Sequence, residues 1–203
     1  MIIDNYPENQ TETIEVERHP DHPEMGTSKL TFAKEIYIEK GDFMKEPPKK
    51  YFRMFPGNEV RLKGAYFLTC TGFEEDENGN VTCLHCTYDP ATKGGDSPDG
   101  RKVKGTIHWA GPDSVKAEVR LYGQLFDNEN PGALTDEELC AAVLPDSLTV
   151  LKDALVEPAA AACAAGTAWQ FVRSGYFCVD PDSTPERPVF NRTVQLNSSY
   201  KPK

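Results

Sequence analysis

The alternation of apolar and polar residues along the chain predicts mainly short β-strands. In residues 115–126, charged residues alternate with apolar ones, which is typical of a strand with one wet and one buried face. The pair Asn78-Gly79 lies between apolar runs at 65–73 and 81–88 and predicts a tight hairpin turn. The same pattern predicts further strands at 30–38, 58–63, 105–111, 147–156, 168–178 and 188–196.

Two short helices interrupt this β-rich pattern. Thr135 and Glu138 form a capping box at the start of a helical segment that Pro145 closes. The alanine-rich residues 159–165 predict a second short helix. Many short strands separated by turns predict a mainly all-β fold of small barrels or a sandwich, with one or two short helices.

Composition and charge narrow the class of protein. The 203 residues suffice for one or two domains, and the net charge of −10 argues against a general nucleic-acid coating protein. The cations are uneven: residues 1–48 hold 5 basic and 11 acidic side chains, 49–123 hold 11 and 10, and 124–203 hold 6 and 11. An acidic body with one basic region suits a binder that docks on part of a polyanion. It equally suits an ordinary acidic cytosolic protein.

The basic residues concentrate in the segment 45–63, KEPPKKYFRMFPGNEVRLK, which has six basic side chains against two acidic ones. Three aromatic residues, Tyr51, Phe52 and Phe55, lie among them. Cations mixed with aromatics are what a protein needs to hold a phosphate backbone and stack unpaired bases. The alternative is a solvated strand and turn with ordinary surface charge. A second, smaller basic patch consists of Arg101, Lys102 and Lys104.

Several other classes of protein find no support in the sequence. No apolar run is long enough to cross a bilayer, and the first residues do not form a signal peptide, so we expect a cytoplasmic protein with reduced cysteines. The sequence Cys83-Leu84-His85-Cys86 suggests zinc, but no second ligand pair completes four ligands, and we expect no metal. No GxSxG or Walker loop is present, so a binding module is expected rather than a catalytic one.

Long blocks of this chain follow the order found in one known family. They are HPDHPEMG (19–26), KEIYIEKGDF (34–43), PGNEVRLKGAY (56–66), DGRKVKGTIHW (99–109), AEVRLYGQLF (117–126), QFVRSGYFCVDPDST (170–184) and PVFNRTVQL (188–196). With them the chain resembles the C-terminal anticodon-binding region of glutaminyl-tRNA synthetases. The archaeal and eukaryotic type of glutamyl-tRNA synthetase shares the domain, and the FNRTV block favours the glutamine enzyme.

The resemblance implies a fold of two small β-barrels, the ribosomal protein L25-like anticodon-binding fold. Residues 46–123 would form the distal barrel, and residues 1–45 with 124–203 the proximal barrel. The family's catalytic domain would lie upstream, so we expect an excised domain that starts partway through a strand and lacks one arginine of the central-base pocket. The end, NSSYKPK, is also expected to be a cut.

The resemblance also implies roles for individual residues. Arg53 would read the third anticodon base, and Arg61 and Lys63 would contact the first anticodon nucleotide. The i, i+2 spacing of Arg61 and Lys63 puts both on one strand face, with Val60 and Leu62 turned inward. Gln170 and Arg173 would bond the central uracil, which requires a bulge or a strand end between them because an ideal strand would put them on opposite faces. Lys50 and Phe52 lie beside these residues, where the family commonly has an amide and a lysine, so the resemblance carries no base contact over to them. Lys50 would touch only the RNA backbone. Arg101, Lys102 and Lys104 would stabilise the distal barrel or touch phosphate.

The function implied is recognition of the glutamine-tRNA anticodon loop. The full-length class I enzyme would attach glutamine to tRNA with ATP and Mg²⁺, while this fragment would carry no active site and no cofactor. Its partners would be tRNA and its own catalytic domain, in a monomer. Three alternatives stay open: the glutamyl-tRNA synthetase domain, a ribosomal RNA-binding protein with a similar barrel, and a structural or protein-interaction β-domain.

Overall fold

The computed structural model describes residues 1–19 and 21–196, and the expected cut after residue 196 lies outside them. The chain divides into two compact units, Met1–Ser114 and Val115–Lys203, here called the N-terminal and C-terminal units. No helix in the described ranges is long and apolar enough to span a membrane. Short 3₁₀ segments occur at Pro23–Met25, Lys40–Asp42, Pro90–Thr92 and Pro131–Ala133.

The N-terminal unit contains one five-stranded sheet and one two-stranded sheet. Its strands are β1 (Ile2–Ile3), β2 (Thr11–Glu17), β3 (Thr27–Ala33), β4 (Glu59–Leu62), β5 (Phe67–Glu75), β6 (Val81–Asp89) and β7 (Thr106–Ile107). The larger sheet has the order β1-β6-β5-β4-β7, and β2 pairs with β3. The predicted hairpin is β5–β6, and Gly79 in its turn has φ +77°. Such a left-handed conformation costs glycine little.

An aromatic cluster fills the core of the N-terminal unit. Phe32 packs at 5.4 Å from Trp109 and 5.1 Å from Tyr66, centroid to centroid. One carboxylate, Glu12, is drawn into this cluster, where it accepts a 2.7 Å hydrogen bond from the Tyr66 hydroxyl. Lys93 Nζ lies 2.6 Å from the other oxygen of Glu12. These contacts let strand β2 turn a charged residue inward, since a carboxylate that loses part of its hydration needs polar partners.

The C-terminal unit is a second five-stranded sheet with two short helices. Its elements are β8 (Val115–Tyr122), α1 (Asp136–Ala141), β9 (Leu148–Val156), α2 (Pro158–Ala161), β10 (Ala168–Phe171), β11 (Gly175–Val179) and β12 (Val189–Val194). The strand order is β10-β11-β12-β8-β9. Phe171 stacks on Phe177 with ring centroids 4.4 Å apart, and Phe190 is fully buried beside them. The predicted capping box of Thr135 and Glu138 is present, although α1 ends at Ala141, before the predicted Pro145.

The structure confirms the prediction of a mainly β fold and corrects the prediction that the sheets close into barrels. In the described residues both large sheets are open at their edges. In the N-terminal unit the edge strands β1 and β7 are each two residues long. Instead of β1 pairing with β7, Ile2 forms a single bridge with Glu35, and Tyr37 forms one with Ala110. Sheets that do not close into barrels commonly have short edge strands or edge strands that other segments cover.

Several strand bounds differ from the prediction. The strands predicted at 30–38 and 105–111 are Thr27–Ala33 and Thr106–Ile107, and residues 168–178 form the hairpin β10–β11 rather than one strand, with the turn at 172–174. In the N-terminal unit β1 pairs with β6. The predicted grouping of residues 1–45 with 124–203 stays a prediction. Which unit corresponds to the distal barrel stays a prediction.

Candidate nucleic-acid interface

Strand β4 positions Arg61. Val60 and Leu62 are fully buried, as the alternation predicted, so Arg61 between them points to the other side of the strand. The centre of its guanidinium lies 5.2 Å from the ring centroid of the buried Phe67, within range of a cation–π interaction. Arg61 Nε is buried and has no hydrogen-bond partner within the described part of the chain. A buried donor in this state is unusual in a folded protein. The groove-facing part of the side chain, which is only partly buried, is what a ligand can reach.

Lys63 lies beyond the end of the strand. β4 ends at Leu62, one residue before the predicted end, and Lys63 occupies the first turn position with its side chain exposed. Its backbone N–H donates to the Ile107 carbonyl at 3.0 Å, and its carbonyl accepts from Trp109 Nε1 at 3.0 Å. The turn and the core tryptophan therefore fix Lys63, whereas the prediction placed it on one strand face with Arg61.

Arg53 is anchored to a buried carboxylate. Its Nη1 lies 3.3 Å from Asp42 Oδ1 and donates to the Gly41 carbonyl at 3.1 Å. The side chain of Asp42 is completely buried, whereas 47% of the Arg53 side chain is exposed. A buried carboxylate needs such a partner. The pair fixes one side of the guanidinium and leaves part of the side chain exposed to solvent.

Arg101 is engaged by three carboxylates of its own unit. It makes two 3.0 Å bonds to Glu59, and further contacts of 2.5 Å to Asp89 and 2.7 Å to Asp99. The Glu59 contact is the main reason that the pKa of Arg101 is raised. Hydrogen bonds from Ser97 and then from Arg101 lower the pKa of Asp99 to about 2. Two roles were predicted for Arg101, and these contacts agree with the first, which is to stabilise the fold. The second role, contact with phosphate, stays a prediction.

Two grooves lie beside these cations. The larger, of about 480 Å³, is lined by Arg61, Arg101 and Lys102 together with the loop residues Asp96, Ser97, Gly100 and Val103. The smaller, of about 280 Å³, is lined by Phe52, Asn58, Glu59, Lys102, Val103, Lys104 and Gly105. The structure thus brings Arg61 and the second basic patch to adjoining grooves, a proximity that the sequence did not predict.

Lys50 sits in an exposed turn. Its φ of +72° is left-handed, and the Tyr51 N–H after it donates to the Pro48 carbonyl at 3.2 Å. A residue with a Cβ adopts this conformation at a cost. The turn presents Lys50 to solvent beside the segment that carries Arg53.

In the C-terminal unit, Gln170 and Arg173 bracket a strand end. Gln170 is exposed on β10, opposite the exposed Tyr176 on β11. Arg173 lies in the 172–174 turn with φ +67°. The required strand end between the two residues is therefore present, which confirms that part of the prediction. Their roles as base contacts stay predictions.

Sequence reasoning missed Asp42 and Tyr176. Asp42 follows a glycine in an acidic stretch and gives no signal of burial. Tyr176 becomes a neighbour of Gln170 only because residues 168–178 turn back on themselves. The motif CLHC contains no metal cluster within the described residues. Its His85 bonds instead to Asp4 and Glu74, both at 3.0 Å.

Open β-sheets that present arginines, lysines and an exposed aromatic beside grooves define a class of β-rich domain suited to unpaired nucleic acid. Comparison with family models makes this assignment specific. Two models, both described as "tRNA synthetases class I (E and Q), anti-codon binding domain", match residues 1–89 and 106–180. The chain belongs to this family of anticodon-binding domains, which confirms the expected resemblance.

Curated relatives agree with the family assignment. The chain is 52% identical over 98% of its length to the glutamine–tRNA ligase of Bradyrhizobium diazoefficiens, and it covers 36% of that protein. It is 52% identical to the ligase of the same name from Nitrobacter winogradskyi, of which it covers 35%. It is 48% identical to that of Clostridium kluyveri, of which it covers 36%. The chain thus spans about a third of the length of these relatives.

Proposed function

We propose that this domain binds the anticodon loop of glutamine tRNA and distinguishes its bases. The observation that carries the proposal is Arg61, which is partly exposed, has its guanidinium over the ring of Phe67 and lines a groove of about 480 Å³. A planar cation with several N–H donors suits the edge of an unpaired base. The names of the relatives, all glutamine–tRNA ligases, support glutamine tRNA over glutamate tRNA.

Individual residues take the roles implied by the family. Arg61 and Lys63 contact the first anticodon nucleotide, and Arg53 reads the third base. Gln170 and Arg173 bond the central uracil. Base reading by these side chains requires that the loop bases be unstacked and splayed out, which is how proteins recognise RNA loops in general. Lys50, Lys102 and Lys104 neutralise phosphates, a contact that carries no sequence information.

The whole protein's activity is also part of the proposal. By analogy with its relatives, the full-length enzyme attaches glutamine to tRNA with ATP and Mg²⁺, as a cytoplasmic monomer. The catalytic site would lie in the rest of such a protein, and this domain would supply specificity for the tRNA. Binding at the anticodon must then be coupled energetically to a distant catalytic site.

The test is a titration of a labelled anticodon stem-loop with this chain at two salt concentrations. A second stem-loop carries a replaced central uracil, and a third carries the glutamate anticodon. We expect a preference for the uracil loop that persists at the higher salt, because base contacts depend less on salt than phosphate contacts. Equal, salt-sensitive binding to all three loops would contradict base reading.

The variant Arg173→Ala sharpens the same test. We expect it to lower affinity for the uracil loop by roughly 5- to 150-fold, as for other bidentate base contacts, and to reduce the preference for uracil. The matched control is Arg187→Ala, which removes an exposed arginine of the same unit that pairs with Glu118. An Arg173→Ala variant with unchanged affinity and unchanged base preference would refute the assigned pocket.

A further inference from the structure

Phe52 is exposed although it is among the most apolar residue types. Its exposure is 47%, and Lys104 Nζ lies 5.0 Å from its ring centroid. The ring therefore contributes little to the core of its unit, whose buried members include Met54 two residues later. An exposed aromatic ring beside a cation is a platform on which a flat, electron-rich group can stack.

The backbone around Phe52 is fixed by close packing. A Cβ at Gly105 would lie 1.7 Å from the Phe52 carbonyl oxygen, so only glycine allows the two segments to approach this closely. Asn58 Nδ2 donates to the Arg53 carbonyl at 2.8 Å and closes the loop that carries Phe52. The packed backbone therefore holds the Phe52 ring in one wall of the groove of about 280 Å³.

The charge of this groove is positive. Its one carboxylate, Glu59, accepts hydrogen bonds from Arg101 with both oxygens. Lys102 and Lys104 also line the groove, and neither makes an ion pair within the described ranges 1–19 and 21–196. Two cations beside a ring match the chemistry of one nucleotide, whose base is flat and whose phosphate is anionic.

We propose that Phe52 stacks one unpaired nucleobase of the RNA loop while Lys102 and Lys104 neutralise the phosphate beside it. This subsite rests on the proposed function, because it takes RNA as the ligand. It is separate from the residues assigned to read the three anticodon bases. Stacking on a phenylalanine uses the face of the base, which every base has, so the subsite adds affinity with little base preference.

The experiment uses stem-loops in which 2-aminopurine replaces one loop nucleotide at a time. Stacking quenches the fluorescence of this base analogue, so one position should be quenched by the wild-type chain and recover with Phe52→Ala. We expect Phe52→Ala to weaken binding roughly 5- to 100-fold whichever base is at that position. Phe52→Trp should restore both quenching and affinity, because it restores an aromatic face.

The matched control is Tyr37→Ala, which removes another aromatic ring that is 50% exposed in the same unit. It should leave quenching and affinity unchanged. Thermal unfolding of each variant checks that it folds, and Phe52→Trp tests the stacking even if the alanine variant is unstable. A Phe52→Trp variant that neither quenches nor binds as tightly as wild type would overturn the subsite.

The outcomes separate this inference from the proposed function. If the wild-type chain prefers the central uracil but Phe52→Ala quenches and binds like wild type, the stacking subsite is wrong and the proposed function stands. If base preference is absent but Phe52→Ala still abolishes quenching, the subsite stands and base reading fails. Absence of any binding to the stem-loops would overturn both.

Discussion

Single residues of the candidate interface are held by local chemistry as well as by the sheets. Among the described residues, three non-glycine residues have a positive φ: Asn9, Lys50 and Arg173. The last two are predicted RNA contacts. A left-handed conformation costs a residue with a Cβ about 1 kcal/mol, and such strain concentrates at functional sites. The turns at Lys50 and Arg173 therefore carry a backbone cost at two residues that are predicted to contact RNA.

Arg53 gives a prediction at this scale, because it has a structural and a proposed functional role. Replacing it with alanine leaves the carboxylate of the buried Asp42 without this partner. We expect Arg53→Ala to lower the free energy of unfolding by about 1–3 kcal/mol, a range that allows for the partial exposure of the arginine. Urea denaturation measures this loss, and loop titration measures third-base preference.

The double variant Arg53→Ala with Asp42→Asn separates the two roles. Removing the buried charge should recover most of the lost stability, since an amide is less costly to bury than a carboxylate that has lost its arginine. Third-base preference should stay lost, because the guanidinium is still absent. Recovery of base preference in the double variant would show that Arg53 acts only through the stability of its loop.

At the scale of elements, His85 links strand β6 to two neighbouring segments. Its ring nitrogens lie 3.0 Å from Asp4, which follows β1, and 3.0 Å from Glu74 on β5. Hydrogen bonds to Asp4 and then to Glu74 raise the pKa of His85 above its ordinary value of 6.5. The folded protein therefore binds this proton more tightly than the unfolded chain does.

The sign of the resulting pH dependence follows from that shift. The stabilisation by His85 is fully present below the unfolded-state pKa and is lost as pH rises through the higher folded-state pKa. We expect the stability difference between wild type and His85→Gln to be larger at about pH 5.5 than at about pH 9. Urea unfolding at both pH values measures it, and Glu74→Gln should remove part of the effect. A difference independent of pH would contradict the imidazolium network.

The elements differ in how far the sequence predicts them. The β5–β6 hairpin and the capping box of α1 depend on neighbouring residues, and both are present. Strand β2 escaped prediction because Glu12 interrupts its apolar face, and two of the residues that compensate this charge, Tyr66 and Lys93, are distant in sequence. The β10–β11 turn escaped because Arg173 adopts a left-handed conformation that sequence patterns reserve for glycine or asparagine.

The candidate interface also has features that the local sequence predicts and features that it does not. Arg61 followed from strand alternation, since Val60 and Leu62 flank it and are buried. Its contact with Phe67 follows from the neighbouring strand β5, whereas its groove depends on residues 96–103, which the pairing of β4 with β7 brings close. No local pattern contains that information, because parallel pairing of β4 with β7 joins segments about 45 residues apart.

For the whole molecule, the net charge of −10 makes the position of each cation important. Lys102 lines both grooves of the N-terminal unit. A polyanion should be repelled by most of an acidic surface and attracted where cations cluster, which favours one docking orientation. The strength of that attraction is visible in the salt dependence of binding.

Replacing Lys102 with alanine tests this attraction. We expect Lys102→Ala to weaken binding by a similar factor for every loop sequence and to reduce the slope of log affinity against log salt by about 0.7, the value for one phosphate contact on a single strand. The control Lys29→Ala removes an exposed lysine of strand β3 and should leave the slope unchanged. Titrations at several salt concentrations, with the uracil loop and its substituted counterpart, measure both quantities. A loss of affinity restricted to the uracil loop would instead make Lys102 a base-reading residue, and an unchanged slope would remove it from the interface.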